Sequence, residues 1–99
     1  MRVIALKTLR SFWLEAGHSD AEQALRAWHH EAREAEWRNP RDIKVRYPTA
    51  SILPGNRVVF NIKGNKYRLV VAIKYDFNLV LIRFVGTHAQ YDQVNAGEI

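Results

Sequence analysis

"RVVFNIKGNKYRLVVAIKYDFNLVLIRFVGTH", Arg57 to His88, decides the fold. Val58, Phe60 and Ile62 alternate with Arg57, Val59, Asn61 and Lys63. Tyr67, Leu69, Val71, Ile73 and Tyr75 alternate with Lys66, Arg68, Val70, Ala72 and Lys74. Val80, Ile82 and Phe84 alternate with Leu79, Leu81, Arg83 and Val85. A period of two gives each strand one apolar face and one mixed face. "KGNK" centres on Gly64-Asn65, a two-residue hairpin turn. That turn sets Asn61 opposite Arg68, and Lys63 opposite Lys66, all four on the mixed face. The next hairpin turns near "DFNL", Asp76 to Leu79. Keeping the apolar faces together then sets Arg68 opposite either Val85 or Thr87.

Outward from the hairpins, "RVIAL" (Arg2 to Leu6) reads as a short strand joining one edge of the sheet. Leu9, Phe12, Trp13 and Ala16 follow at the spacing of one helix face. Gly17 suits the position just past a helix end. Ser19 and Glu22 form an S-x-x-E capping box, predicting that a second helix opens there. Its apolar side is Ala21, Ala24, Leu25, Trp28, Ala32 and Ala35. Trp13 and Trp28 fall on these stripes and belong to the core. Trp37 either packs on the following loop or meets a partner. Asn39-Pro40 ends the helix, and "RDIKVRYPTASILPGN", Arg41 to Asn56, reads as a long loop. Past the last strand, Thr87 is a competent N-cap for a short helix, with Gln90 as the third-position partner of a capping box. "NAGEI" at the end reads as frayed. The expected fold is α+β: two N-terminal helices packed on a small, mainly antiparallel sheet, then a short C-terminal helix. It forms one domain over residues 1–99.

Charge is unevenly spread. Residues 1–40 hold six basic and six acidic side chains, whereas residues 41–76 hold eight basic and two acidic. That middle segment outweighs the whole chain's net +5. A concentrated basic segment points to a polyanion, nucleic acid first, with an ordinary solvated surface as the alternative. There is no cysteine, which rules out disulfides and thiolate metal sites and fits the cytoplasm. "MRVIALKTLR" is too short and too charged for a signal peptide. No apolar run nears the ~18 residues of a membrane span. His30 and Glu34 share a helix face, but no third ligand converges on them, so no metal and no cofactor is expected.

The strand register gathers Arg68, Lys66, His88 and Tyr91 near the exit of the last strand. RNA carries its own nucleophile, the 2′-hydroxyl. Cleaving it without a metal needs a proton acceptor, a proton donor and fixed cations around the phosphate. Histidine as a residue type ionises near neutrality, which suits His88 to serve as acid or base. Arg68 grips a phosphate through two parallel hydrogen bonds, and Lys66 adds a mobile charge. Tyr91 stacks on a base or donates its hydroxyl. Lys63, Asn61, Arg57, Lys74 and Arg83 are candidate RNA contacts on the same strands. Arg68 alternatively pairs with Asp92, which equally could orient His88 or Tyr91; an Arg83–Asp92 pair is also open. A non-catalytic RNA- or ribosome-binding module is the competing function, as is a degenerate toxin that only binds a partner. Base-stacking modules expose aromatics, whereas the strand tyrosines here fall on the apolar face.

"VFNIKGNKYRL", "VLIRFVGTH" and the "THxxYD" ending together resemble the HigB-type toxins of bacterial type II toxin–antitoxin systems, relatives of RelE. "MRVIALKTLRSFW" and "KVRYPTAS" resemble the family's N-terminal and loop segments. The resemblance implies a compact RelE-like RNase fold and an mRNA interferase, an endoribonuclease that arrests growth by cutting mRNA, often on the ribosome. It also implies a helix-turn-helix antitoxin (HigA-like), through which alone operator DNA would be met. Gln90 stands where an acidic residue is common in the "THAEYD" form.

Overall fold

The computed structural model describes residues 1–99 in full. Five strands, β1 (Arg2–Ile4), β2 (Ser51–Leu53), β3 (Arg57–Ile62), β4 (Tyr67–Lys74) and β5 (Leu79–Thr87), form one sheet in the order β1-β5-β4-β3-β2. β1 runs parallel to β5, and every other pairing is antiparallel. The helices are α1 (Leu6–Leu14), α2 (Glu22–Glu34), α3 (Pro40–Arg46) and α4 (His88–Tyr91). None is long and apolar enough to cross a membrane.

Leu9, Phe12 and Trp13 of α1, Leu25, Trp28 and Ala32 of α2, and Ile43 of α3 share one core with Val58, Phe60, Ile62, Tyr67, Leu69, Val71, Ile73, Val80 and Ile82. The alternating residues of β3 and β4 therefore bury as their pattern demands. Phe60 sits at the centre of an aromatic cluster. Its ring lies 5.4 Å from Trp28, 6.0 Å from Trp37 and 5.1 Å from Tyr47. Trp37 is thus a core residue, 5 % exposed. The indole N–H of Trp28 is buried without an acceptor, a cost of about 1–3 kcal/mol that the surrounding contacts offset.

Three local expectations are corrected. The Ser19–Glu22 capping box does not form. Residues Ser19–Ala21 make a 3-10 turn that runs straight into α2, so Ala21 stands at the N-cap in helical conformation and makes no side-chain cap bond. A cap needs an extended residue at that position, and the continuous turn supplies none. The long loop over Arg41 to Asn56 is replaced by α3 and β2. Asn39-Pro40 does not end α2, which stops at Glu34 with Ala35 already extended; it begins α3 instead: Asn39 is extended and its side chain accepts the Asp42 N–H at 3.1 Å, while Pro40 fills the first turn where no N–H is missed. Lys44 Nζ then donates to the Pro48 and Ala50 carbonyls at 2.5 and 2.7 Å, steering the chain into β2. The C-terminal residues are not frayed. Ala96 is buried against Val59 and Val70, and Arg57 Nε donates to the Ile99 carbonyl at 2.7 Å.

The hairpin registers differ in how well the turn predicts them. Asn61 pairs with Arg68 and Ile62 with Tyr67, as the Gly64-Asn65 turn implies. In the β4–β5 pair, Val71 faces Ile82 but Val70 faces Phe84, which leaves Arg83 as an extra residue at a β-bulge. Arg68 consequently faces Gly86, neither Val85 nor Thr87. A bulge reverses which side chains point to which face beyond it. Val85 joins the helix-side core, and Phe84 joins Val59, Val70, Ala96, Leu53, Tyr91 and Ile99 on the other side. The far face of the sheet is therefore not an open basic surface. A second small core covers its middle, and six of the eight residues of β4 are buried.

Removing the Phe60 ring leaves its three aromatic neighbours facing a void. Phe60→Ala is expected to lower stability by about 3–5 kcal/mol, a large part of the ~5–15 kcal/mol typical of a domain. The midpoint of urea unfolding measures it, and a shift corresponding to less than about 1 kcal/mol would contradict the central role of this ring.

Candidate active site

β5 ends at Thr87, and the chain turns at once into α4. Thr87 is extended and caps the turn: Gln90 N donates to Thr87 Oγ1 at 3.1 Å, and Thr87 N donates to Gln90 Oε1 at 2.8 Å. The capping box expected here forms. A glutamine carbonyl serves that box as a carboxylate would, so the departure at Gln90 leaves the turn intact. Gly86 lies directly beneath it. A Cβ at Gly86 would sit 2.6 Å from Phe84 Cζ and 2.7 Å from Gln90 Oε1. The Phe84 ring and the capping Gln90 amide thus occupy the space that a side chain at this step would take.

The cap fixes where the α4 side chains lie. Tyr91 turns toward the second core, and the Arg68 guanidinium stands 6.0 Å from its ring centroid, at the outer limit of a cation–π contact. Arg68 is half-buried between its cross-strand neighbours Asn61 and Gly86. Its Nη1 reaches the Asn65 and Tyr67 carbonyls at only 3.3 and 3.4 Å. No carboxylate comes within ion-pair distance of it. Asp92 faces His88 instead, with Oδ2 3.4 Å from Nδ1. Both side chains are exposed, so the pair adds little stability. Its effect is orientation: the imidazole turns Nδ1 to the carboxylate and leaves Nε2 without a protein partner.

Lys66 does not join this group. Mixed-face alternation cannot be carried into the turn, because Lys63 and Gly64 both take positive φ and redirect the loop. Lys66 Nζ lies 2.5 Å from Asp20 Oδ2, and the Tyr67 hydroxyl donates to Asp20 Oδ1. His18 packs beside them, stacked on Phe12 at 4.3 Å and edge-on to Tyr67. The hydrogen bonds from Lys66 and Tyr67 hold the Asp20 carboxyl below its ordinary value of 3.8, and the same carboxylate raises Lys66. Burial, followed by the Asp20 hydrogen bond, raises the Tyr67 hydroxyl. Asp20 gave no signal in the sequence, since only tertiary packing brings residues 46 positions apart together.

The remaining candidates are dispersed. Asn61 is adjacent to Arg68, and its amide reaches the Thr49 carbonyl at 3.4 Å. Lys63 is exposed in the turn next to the Asp20 cluster. Arg83 is exposed at the bulge. Arg57 is occupied by the Ile99 and Gly55 carbonyls. Lys74 ends β4 six residues from Arg68, roughly 20 Å along a strand. The basic side chains of the hairpins thus form no continuous track.

A family model described as HigB_toxin, RelE-like toxic component of a toxin-antitoxin system, matches residues 21–94. The chain belongs to the HigB toxin family. Comparison with curated proteins returns no match. The HigB match takes in α2 through α4 and every residue around Arg68, including Gly86 and the Thr87 cap. It leaves out β1, α1 and residues 95–99. As the toxic component of a toxin–antitoxin pair, a HigB-family protein has an antitoxin as its counterpart.

The Asp20 contacts carry a pH signature. A carboxyl held below its unfolded value contributes stability that is present above the unfolded value and lost as pH falls through the folded one. Asp20→Asn is expected to unfold at lower urea than the parent near pH ~7, with the difference narrowing below 3.8. A gap that persists unchanged in acid would show that the cluster contributes through packing alone.

Proposed function

We propose that this HigB-family protein is an mRNA interferase: a cytoplasmic endoribonuclease of RelE-like fold that cuts mRNA during translation and is neutralised by a HigA-like helix-turn-helix antitoxin. Residues 1–99 act as one toxin domain, with the N-terminal helices as the support behind the sheet. The observation that carries the reading is the surroundings of Arg68. A half-buried guanidinium with no carboxylate partner stands beside Tyr91, and the turn that carries Tyr91 also carries the His88–Asp92 pair. A cation sheltered from solvent and free of counter-charge is a ready site for a phosphate.

In this mechanism the 2′-hydroxyl oxygen attacks the adjacent phosphorus, and the P–O5′ bond breaks. His88 Nε2 takes the hydroxyl proton or supplies the one that leaves with the 5′-oxygen, while Asp92 holds the ring on Nδ1. Arg68 stabilises the charge that grows on the non-bridging oxygens. Tyr91 holds the neighbouring base. Lys66 is engaged by Asp20, so its part is that of a flanking charge, with Lys63, Asn61 and the exposed Arg83 along the RNA. No step requires a metal ion. A non-catalytic RNA-binding module remains the competing outcome of the test.

The test is cleavage of a translated mRNA with mapping of the new 5′ ends. The parent is expected to make discrete cuts that persist in a chelator and vanish when the nucleotide before the break is 2′-deoxy. Arg68→Ala is expected to slow cutting by about 10²–10³-fold, and His88→Ala by about 10²–10⁴-fold. Lys74→Ala leaves the rate close to the parent's. Intact mRNA that binds in a salt-sensitive way would replace this reading with the binding module, and full activity in Arg68→Ala would sink the site.

A further inference from the structure

Tyr91 lines a second feature besides the Arg68 contact. A groove of about 670 Å³ runs from its ring past Leu53, Val94 and Asn95 to Glu98, within the ~300–1,000 Å³ span of ligand sites. Its far wall is a built turn. Asn95 Oδ1 accepts the Gly97 N–H at 3.2 Å, and the Asn95 carbonyl accepts the N–H groups of Glu98 and Ile99 at 3.0 and 3.2 Å. Ala96 is buried beneath this turn, and Arg57 clamps the Ile99 carbonyl beyond it. With Asn95 Oδ1 engaged, its Nδ2 is left as a donor. The Glu98 carboxylate makes no ion pair and no hydrogen bond within the protein. An unpaired carboxylate in this groove, even on a +5 protein, discourages generic RNA binding. It favours RNA only where a base presents N–H groups to it.

We propose that the groove from Tyr91 to Glu98 is a guanine-selecting base subsite, an inference that rests on the endoribonuclease reading above. The guanine ring lies against Tyr91 while its phosphate reaches Arg68. Its Watson–Crick edge offers one acceptor, O6, then two donors, N1–H and the 2-amino group. Asn95 Nδ2 donates to O6, and the Glu98 carboxylate accepts from N1–H and the 2-amino group together. Adenine turns the lone pair of N1 toward the carboxylate. Inosine lacks the 2-amino group, and uracil and cytosine each present an acceptor where guanine has a donor. A site built for a particular hydrogen-bonding edge rejects analogues that leave its groups unpaired. Asn95 and Glu98 lie outside the family-matched residues 21–94, so this selectivity belongs to the chain's own C-terminal turn.

The test measures binding of the full chain to short 2′-O-methyl oligonucleotides that cannot be cleaved, identical except for guanine, inosine or adenine at one position. The parent is expected to bind the guanine strand about 10-fold or more tightly than the other two. Glu98→Gln, an exposed substitution, is expected to equalise the three strands while leaving the thermal melt unchanged. Equal parent affinities, or guanine selectivity that survives in Glu98→Gln, overturns the subsite. Mapping the cuts in all-ribose mRNAs that carry guanine or adenine at that position and are being translated separates the two readings. Cutting without guanine preference removes the subsite and leaves the nuclease. Guanine-selective binding without cutting removes the nuclease and leaves the subsite.

Discussion

One extra residue, Arg83, governs the geometry around Arg68. Without it β5 would keep a single side-chain alternation from Leu79 to Thr87. With it, Val80 and Ile82 face the helices, and beyond the bulge Val85 takes over that duty while Phe84 and Gly86 turn away. Two consequences follow together. Phe84 seeds a second core with Val59 and Val70, onto which Tyr91, Ala96 and Ile99 fold. Gly86 arrives opposite Arg68 with no side chain, leaving room for the Phe84 ring and Gln90. The capped turn of α4 then starts next to Gly86 and sets Tyr91 beside Arg68. Bulges recur next to active sites because they re-aim side chains without interrupting the sheet.

The two faces of the sheet divide the labour. The helix side holds the large core, and its aromatic centre at Phe60 ties α2 to α3 through Trp28, Trp37 and Tyr47. Glu31 reinforces the same junction, accepting from the Tyr47 hydroxyl at 2.6 Å and from Arg46 at 2.5 Å. The other side holds only a small core, roofed by the C-terminal residues. Arg68 sits at its border, sheltered by Tyr91 and unpaired. The Lys66–Asp20 contact works at the opposite edge of the same hairpin, tying the β3–β4 turn to the start of α2 and drawing one cation out of the site. Lys66 and Arg68, with only Tyr67 between them, thus end up in opposite surroundings: one is paired with a carboxylate and the other is not.

Much of this was legible in the residues. Strong alternation with a Gly-Asn turn specified β3 and β4 down to the Asn61–Arg68 pair. Thr87 and Gln90 announced the cap of α4, because both of its hydrogen bonds are local. What escaped was of two kinds. Asn39-Pro40 reads as a helix stop, yet proline one position after an asparagine also starts a helix, and here it only starts α3, since α2 has already ended at Glu34. The bulge, the Asp20 contacts and the seating of the C-terminal turn are tertiary. Val85 and Phe84 are both apolar, so nothing in their order says which face each takes, and a helical-looking S-x-x-E gave a false cap where the chain prefers a 3-10 turn. The register expected from the turn thus sets Arg68 beside Tyr91, whereas Lys66 turns away to Asp20.

The arrangement around Arg68 stands or falls with the register beyond the bulge. Cross-strand nuclear Overhauser contacts in the isotope-labelled protein measure that register directly. The structure predicts contacts between Arg68 and Gly86 and between Val70 and Phe84. Contacts joining Arg68 to Val85 and Val70 to Arg83 would mean an unbroken strand, and would contradict the account.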